Sequence, residues 1–170
     1  EAIGISIFHS IAAFNNSGFD ILGGLQNLIP YQNNLLLNLT TAGLIIFGGL
    51  GFLVILDILK KRSFRALALH SKVVIVMSAV LILLGTLLLK ATENVTWLGA
   101  FFQSVSARTA GFSTYPIGSF TDAGLFVLIL LMFVGASPGS TGGGIKTTTL
   151  FALLQATRSA ATGRMPTAFR

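Results

Sequence analysis

The chain has 170 residues, 53% hydrophobic and 9% charged, with 19 glycines and a formal net charge of +6; its mean hydropathy is +0.83. A soluble domain carries about 25% charged residues, so this chain cannot cover one core with a water-facing surface. That excludes a disordered tail, a nucleic-acid module and most soluble enzymes, and leaves an integral membrane protein with several helices.

In chain order, Ile3–Phe14 is apolar but too short to cross a bilayer, and it runs into the polar stretch Asn15-Asn16-Ser17-Gly18-Phe19-Asp20. Segments of about 10–14 apolar residues read as re-entrant or interfacial helices. Glu1 rather than a basic region opens the chain, so no cleaved signal peptide is expected. Leu35–Leu56 is the first uncharged stretch long enough for one crossing, and it ends at Asp57. Gly43, Gly48, Gly49 and Gly51 within it suit close helix contact. Lys60, Lys61, Arg62, Arg65 and Lys72 then crowd one connection, before the second span, Val73–Leu89.

Trp97–Ala107 is again short and apolar, and Thr109-Ala110-Gly111-Phe112-Ser113-Thr114-Tyr115-Pro116 follows it as loop-forming sequence. A third uncharged stretch runs from beyond Asp122 to Ile145, and an uncharged tail, 147–157, leads to Arg158, Arg164 and Arg170. By the positive-inside rule both basic blocks are expected in the cytoplasm, so the first span runs inward, the second outward and the third inward again.

The two short regions repeat. Phe8-His9-Ser10-Ile11-Ala12-Ala13 parallels Phe102-Gln103-Ser104-Val105-Ser106-Ala107, and Ser17-Gly18-Phe19 parallels Ala110-Gly111-Phe112, at a period of about 93 residues. Each copy is a short helix, a polar glycine loop and a long apolar helix. Non-helical backbone at membrane depth is tolerated only where it is buried in protein or lines a water-filled path. Such a loop can turn its carbonyl oxygens toward a dehydrated cation, and Gly18 and Gly111 allow the φ > 0 that this requires. Phe19 and Phe112 are expected to pack the loops from behind.

The third stretch is interrupted by Gly135-Ala136-Ser137-Pro138-Gly139-Ser140-Thr141-Gly142-Gly143-Gly144-Ile145-Lys146, five glycines and a proline in twelve residues. Gly costs about 1 and Pro about 3 kcal/mol per helix position, so the crossing is expected to break near mid-membrane at a flexible loop, as transporters do where they bind or gate ions. Lys146 at that depth is expected to face a cavity or a carboxylate. Ile145 separates Gly144 from Lys146, so the Gly-Lys pair of a phosphate-binding P-loop is missing.

No catalytic constellation is present, and no enzyme activity is expected. The acidic residues Glu1, Asp20, Asp57, Glu93 and Asp122 are scattered, and His9 and His70 lack metal-ligand spacing. There is no cysteine, which excludes disulfides and thiolate metal sites. His9 reads as a packing or hydrogen-bonding residue. Asp20 reads equally as a helix cap or as a charge that attracts cations at a pore mouth.

Phe8-His9-Ser10, Asn16-Ser17-Gly18-Phe19-Asp20, Arg108-Thr109-Ala110-Gly111-Phe112-Ser113-Thr114 and the run from Gly135 to Thr147 resemble the Trk/Ktr/HKT superfamily of potassium transporters, with the membrane subunit of Ktr systems as the nearest type. The resemblance implies an all-α integral membrane fold of re-entrant pore-loop (M1–P–M2) repeats with one broken transmembrane helix. Residues 1–59 would be the pore helix, filter loop and M2 of one repeat, and 60–72 a cytoplasmic basic loop. Residues 73–157 would be a complete repeat with an intramembrane loop at 135–146, and 158–170 a cytoplasmic basic segment.

It further implies that Asn16, Ser17, Gly18 and Phe19, with Thr109, Ala110, Gly111 and Phe112, form two of four filter stretches that pass potassium by backbone carbonyls. Gly135, Pro138, Gly139, Gly142, Gly143, Gly144 and Lys146 would belong to a gate below them. The implied setting is the cell membrane, as a multi-pass protein in contact with lipid. The implied partners are a second copy in a homodimer and a cytoplasmic ring of nucleotide-binding regulatory subunits of the KtrA/TrkA type, with no nucleic acid. Potassium is the implied transported ion, sodium a candidate coupling ion, and no covalent cofactor is implied. The first and fourth repeats of the family are not in this sequence, which therefore supplies half a pore. The competing reading is a secondary transporter of sodium or another solute that uses the broken helix as its binding site.

Overall fold

The computed structural model describes residues 2–24 and 26–163. Glu1, and Arg164 and Arg170 of the C-terminal basic segment, lie outside the described residues. Seven α-helices account for the fold: α1 Ala2–Phe14, α2 Leu35–Leu50, α3 Phe52–Lys61, α4 Leu69–Thr92, α5 Trp97–Thr109, α6 Asp122–Phe133 and α7 Thr147–Thr162.

Among the described residues, only α4 is by itself long and apolar enough to cross a membrane. Its 24 residues reach about 36 Å at ~1.5 Å per residue, more than the ~30 Å hydrocarbon thickness. The helices α1 and α5 have 13 residues each and cannot cross. Side-chain caps set several helix starts. Asn34 accepts from the Leu37 amide, Thr96 from Gly99 and Thr121 from Gly124, each satisfying one otherwise unpaired N–H.

The first span departs from its expected form. The sequence reads Leu35–Leu56 as one crossing, but the chain turns by 99° between α2 and α3, at Gly51 with φ 91°. The basic connection is also shorter than 60–72. Lys60 and Lys61 finish α3, and α4 starts at Leu69. Asp57 stabilises this corner: it pairs with Lys61 at 2.8 Å, and its other oxygen accepts from the Ala68 amide and the Ser71 hydroxyl. The third stretch breaks between Phe133 and Thr147, and both α6 and α7 pack along α4.

Two buried clusters hold the helices together. One gathers Ala12, Ala13, Leu28, Ala42, Ile45, Ile82, Phe102, Val105, Ala110 and Phe112, so both short helices share one core with α2 and α4. The second lies among α4, α5 and α6, around Leu89, Ala100, Val127 and Leu131. The Thr121 amide and hydroxyl both donate to Glu93, which joins the end of α4 to the start of α6. Outward faces carry exposed Leu83, Leu87, Phe126, Ile129 and Phe133, the surface expected of helices that meet lipid or further helices.

Gly85 is the tightest joint of α4. A Cβ there would overlap the Ser104 hydroxyl and the Leu131 methyls, and Ser104 donates to the Ile82 carbonyl at 2.8 Å. Gly85→Val is expected to destabilise the protein by about 1–3 kcal/mol through overpacking, read as a lower denaturation temperature in detergent. A variant as stable as the parent would remove this contact from the account.

Candidate functional site

The helices α1 and α5 each deliver a loop at their C-terminal end, and the two loops touch. A Cβ on Gly18 would collide with the Ala110 carbonyl oxygen. Gly18 and Gly111 have φ 70° and 87°, in the region where a side chain is strained. Asn16, at φ 53°, joins the loops by accepting from the Thr109 hydroxyl at 2.9 Å.

The second loop is braced on three sides. Ser106 donates to the Phe112 carbonyl at 2.6 Å, and Gln103 donates to the Ser113 hydroxyl at 2.8 Å. The Ser113 amide donates to the Asn27 side chain, and the Leu28 amide donates to the Ser113 carbonyl. His9 hydrogen-bonds Thr41 at 2.8 Å and meets the Phe112 ring edge-on, 5.1 Å between centroids.

Phe112 is fully buried behind its loop, but Phe19 is 70% exposed and does not pack behind the first one. The repeat is therefore asymmetric: only the second loop has its ring inside the shared core. Asp20 caps no helix and instead accepts from the Leu22 amide in a local turn.

The carbonyls divide the eight candidate residues. That of Phe112 is taken by Ser106. Those of Asn16, Ser17, Gly18, Phe19, Thr109, Ala110 and Gly111 accept no hydrogen bond among the described residues. Of the residues that carry these open carbonyls, Asn16 and Ala110 are buried, Gly18 and Thr109 are half-buried, and Ser17, Phe19 and Gly111 are exposed. A run of them on two touching loops provides electronegative oxygens without a metal-ligating side-chain cluster, and none of the latter is found among the described residues.

The glycine-rich break is a folded hairpin rather than a flexible loop. Its arms pair through Gly135 N to the Ile145 carbonyl and Ala136 N to the Gly143 carbonyl, and a Cβ on Gly135 would overlap the Gly143 carbonyl. The hairpin docks on the end of α2: Ser137 N and Thr141 N donate to the carbonyls of Gly49 and Gly48, and Phe52 N donates to Gly139. Helix C-termini leave carbonyls without partners, and here the hairpin supplies them. A Cβ on Gly51 would overlap the Pro138 carbonyl. Thus Gly48, Gly49 and Gly51 mark the hairpin's seat, while Gly43 has no such neighbour. Arg108 donates to the Gly135 carbonyl at 3.2 Å. Lys146 finds no carboxylate among the described residues; its ammonium donates to the Gly142 carbonyl at 2.8 Å and closes the hairpin's own turn.

Asn27 escapes a sequence reading, and Gln103, Ser106, Arg108 and Gly51 appear in it without the bracing roles that they have here. The available signal is polarity on an apolar helix. Gln103, Ser104 and Ser106 are buried, and buried polar groups need partners.

The family model for TrkH, described as a cation transport protein, matches residues 2–166. The chain belongs to this family. It is 41% identical over 166 residues to the Ktr system potassium uptake protein B of Vibrio alginolyticus, covering 89% of this chain and 36% of that protein. It is 39% identical over 165 residues to the potassium/sodium uptake protein NtpJ of Enterococcus hirae, covering 91% and 36%. The chain thus spans about a third of the length of these relatives. Its fold is that of the potassium transporter TrkH from Vibrio parahaemolyticus, with a TM-score of 0.70 and 22% identity over 98% of this chain and 38% of that one. As a member of a cation transporter family, it is a membrane protein and not a member of an enzyme family.

The two loop glycines should respond differently to substitution. Gly111→Ala meets no atom within 4 Å and bears only the backbone strain, about 1–2 kcal/mol. Gly18→Ala bears that strain and the Ala110 collision. The expected result is a larger fall in thermal stability for Gly18→Ala; equal falls would contradict the loop contact.

Proposed function

We propose that the protein containing this chain takes up potassium across the cell membrane, and that the two glycine loops are two of its filter stretches. The observation that carries this reading is the run of unpaired carbonyls at Asn16–Phe19 and Thr109–Gly111 on loops in direct contact. Carbonyl oxygens can replace the hydration shell of an alkali cation, and non-helical backbone at membrane depth is tolerated where it lines a water-filled path or is buried in protein. Phe112 serves as a support rather than through its carbonyl, which Ser106 already holds.

The hairpin at 135–146 is the gate in this reading. It docks against both the first loop and the end of α2, and its glycines keep its arms thin. The basic residues Lys60, Lys61, Arg62, Arg65 and Lys72 mark the cytoplasmic side. Because Ktr systems are named as systems and this chain is similar to their protein B, the partners proposed are a second copy and a cytoplasmic nucleotide-binding regulatory ring. Sodium is the ion to assay beside potassium, since the name of the Enterococcus hirae relative pairs the two.

The test is rubidium or potassium uptake into transport-deficient cells by the full-length protein. Gly111→Asp is expected to reduce uptake at least tenfold with normal membrane expression, because a carboxylate on the loop traps the ion and the backbone loses its φ > 0 residue. Undiminished uptake would overturn the filter assignment. Deleting residues 139–144 is expected to raise uptake in the absence of the regulatory partner, and an unchanged rate would remove the gate reading.

A further inference from the structure

The side chain of Asn16 connects three segments that the proposed function treats separately. Its carbonyl oxygen accepts from the Thr109 hydroxyl of the second loop at 2.9 Å. Its amide donates to the Thr141 hydroxyl of the hairpin at 2.7 Å. The same Thr141 hydroxyl donates to the Phe14 carbonyl, the last of α1, at 3.1 Å. The backbone around this node leaves no slack. A Cβ on Gly48 would overlap the Phe14 carbonyl and approach the Asn16 amide, and the Thr141 amide donates to Gly48.

We infer that Asn16 is a positioning residue that couples the gate hairpin to both filter loops, with Thr141 as the hairpin's half of the latch. The inference rests on the potassium-path reading above. Asn16 is buried at 7% exposure and holds its left-handed backbone. When the hairpin leaves, Thr141 leaves with it. The Asn16 amide and the Phe14 carbonyl then both lose the Thr141 hydroxyl and keep only each other, at 3.5 Å, a contact at the limit of hydrogen-bond distance. Asn16 is then free to turn, which releases Thr109 and shifts the carbonyls of Thr109 and Ala110. Opening the gate and loosening the filter are therefore one event. Thr141 is exposed, so water can take its place at the hairpin, which keeps opening accessible.

The coupling makes a distinguishing demand: a change on the hairpin must alter ion selectivity as well as rate. Thr141→Val keeps the shape and removes the hydroxyl. In the full-length protein, it is expected to raise uptake several-fold without the regulatory partner and to lower the potassium-over-sodium uptake ratio at least threefold. Thr141→Ser, which keeps the hydroxyl, is expected to restore both. Asn16→Ala combined with Thr141→Val is expected to lower the ratio no further than Asn16→Ala alone. A Thr141→Val protein with the parent's selectivity, or a loss of rate that Ser does not rescue, overturns the coupling. Gly111→Asp run in parallel separates the two ideas. If it abolishes uptake while Thr141→Val leaves selectivity alone, only the coupling fails; if it leaves uptake intact, the filter reading itself fails.

Discussion

In a chain this apolar, each backbone carbonyl must find a donor or face a polar path, and most of the structure answers that demand. The end of α2 leaves Gly48 and Gly49 carbonyls open, and the amides of Ser137 and Thr141 fill them. The end of α1 leaves Phe14, and the Thr141 hydroxyl fills it. The start of α6 is joined to α4 by Glu93. The carbonyls of Asn16–Phe19 and Thr109–Gly111 accept no hydrogen bond among the described residues, and they sit on two loops that touch.

Close approach of backbone to backbone is what makes the arrangement possible, and glycine makes the approach possible. Gly18 meets Ala110, Gly48 meets Phe14, Gly51 meets Pro138 and Gly135 meets Gly143. These contacts link the loop pair, the end of α2 and the hairpin.

Some of this was legible in the sequence. The 24-residue α4 contains the apolar run Val73–Leu89 that Lys72 and Lys90 bound, and the short α1 and α5 follow from apolar runs that polar glycine loops cut off. The break before Thr147 follows from glycine and proline density. The bend at Gly51 was not drawn from the sequence, because Leu35–Leu56 is uncharged, its glycines read as helix contacts, and the groups that stabilise its break come from residues 137–141. The exposure of Phe19 was hidden for a related reason. The repeat suggests two equivalent rings, but only Phe112 meets His9 and the shared core. Lys146 was expected to face a cavity or a carboxylate; its ammonium donates to a carbonyl four residues away.

The central claim is that the open carbonyls of the two loops stand in for the water around a travelling alkali ion. Anomalous diffraction from crystals of the full-length protein grown in rubidium tests it most directly. The account expects a rubidium peak in contact with carbonyl oxygens from both Ser17–Gly18 and Ala110–Gly111. A bound ion held elsewhere, with these oxygens turned away from it or paired to protein donors, would contradict it.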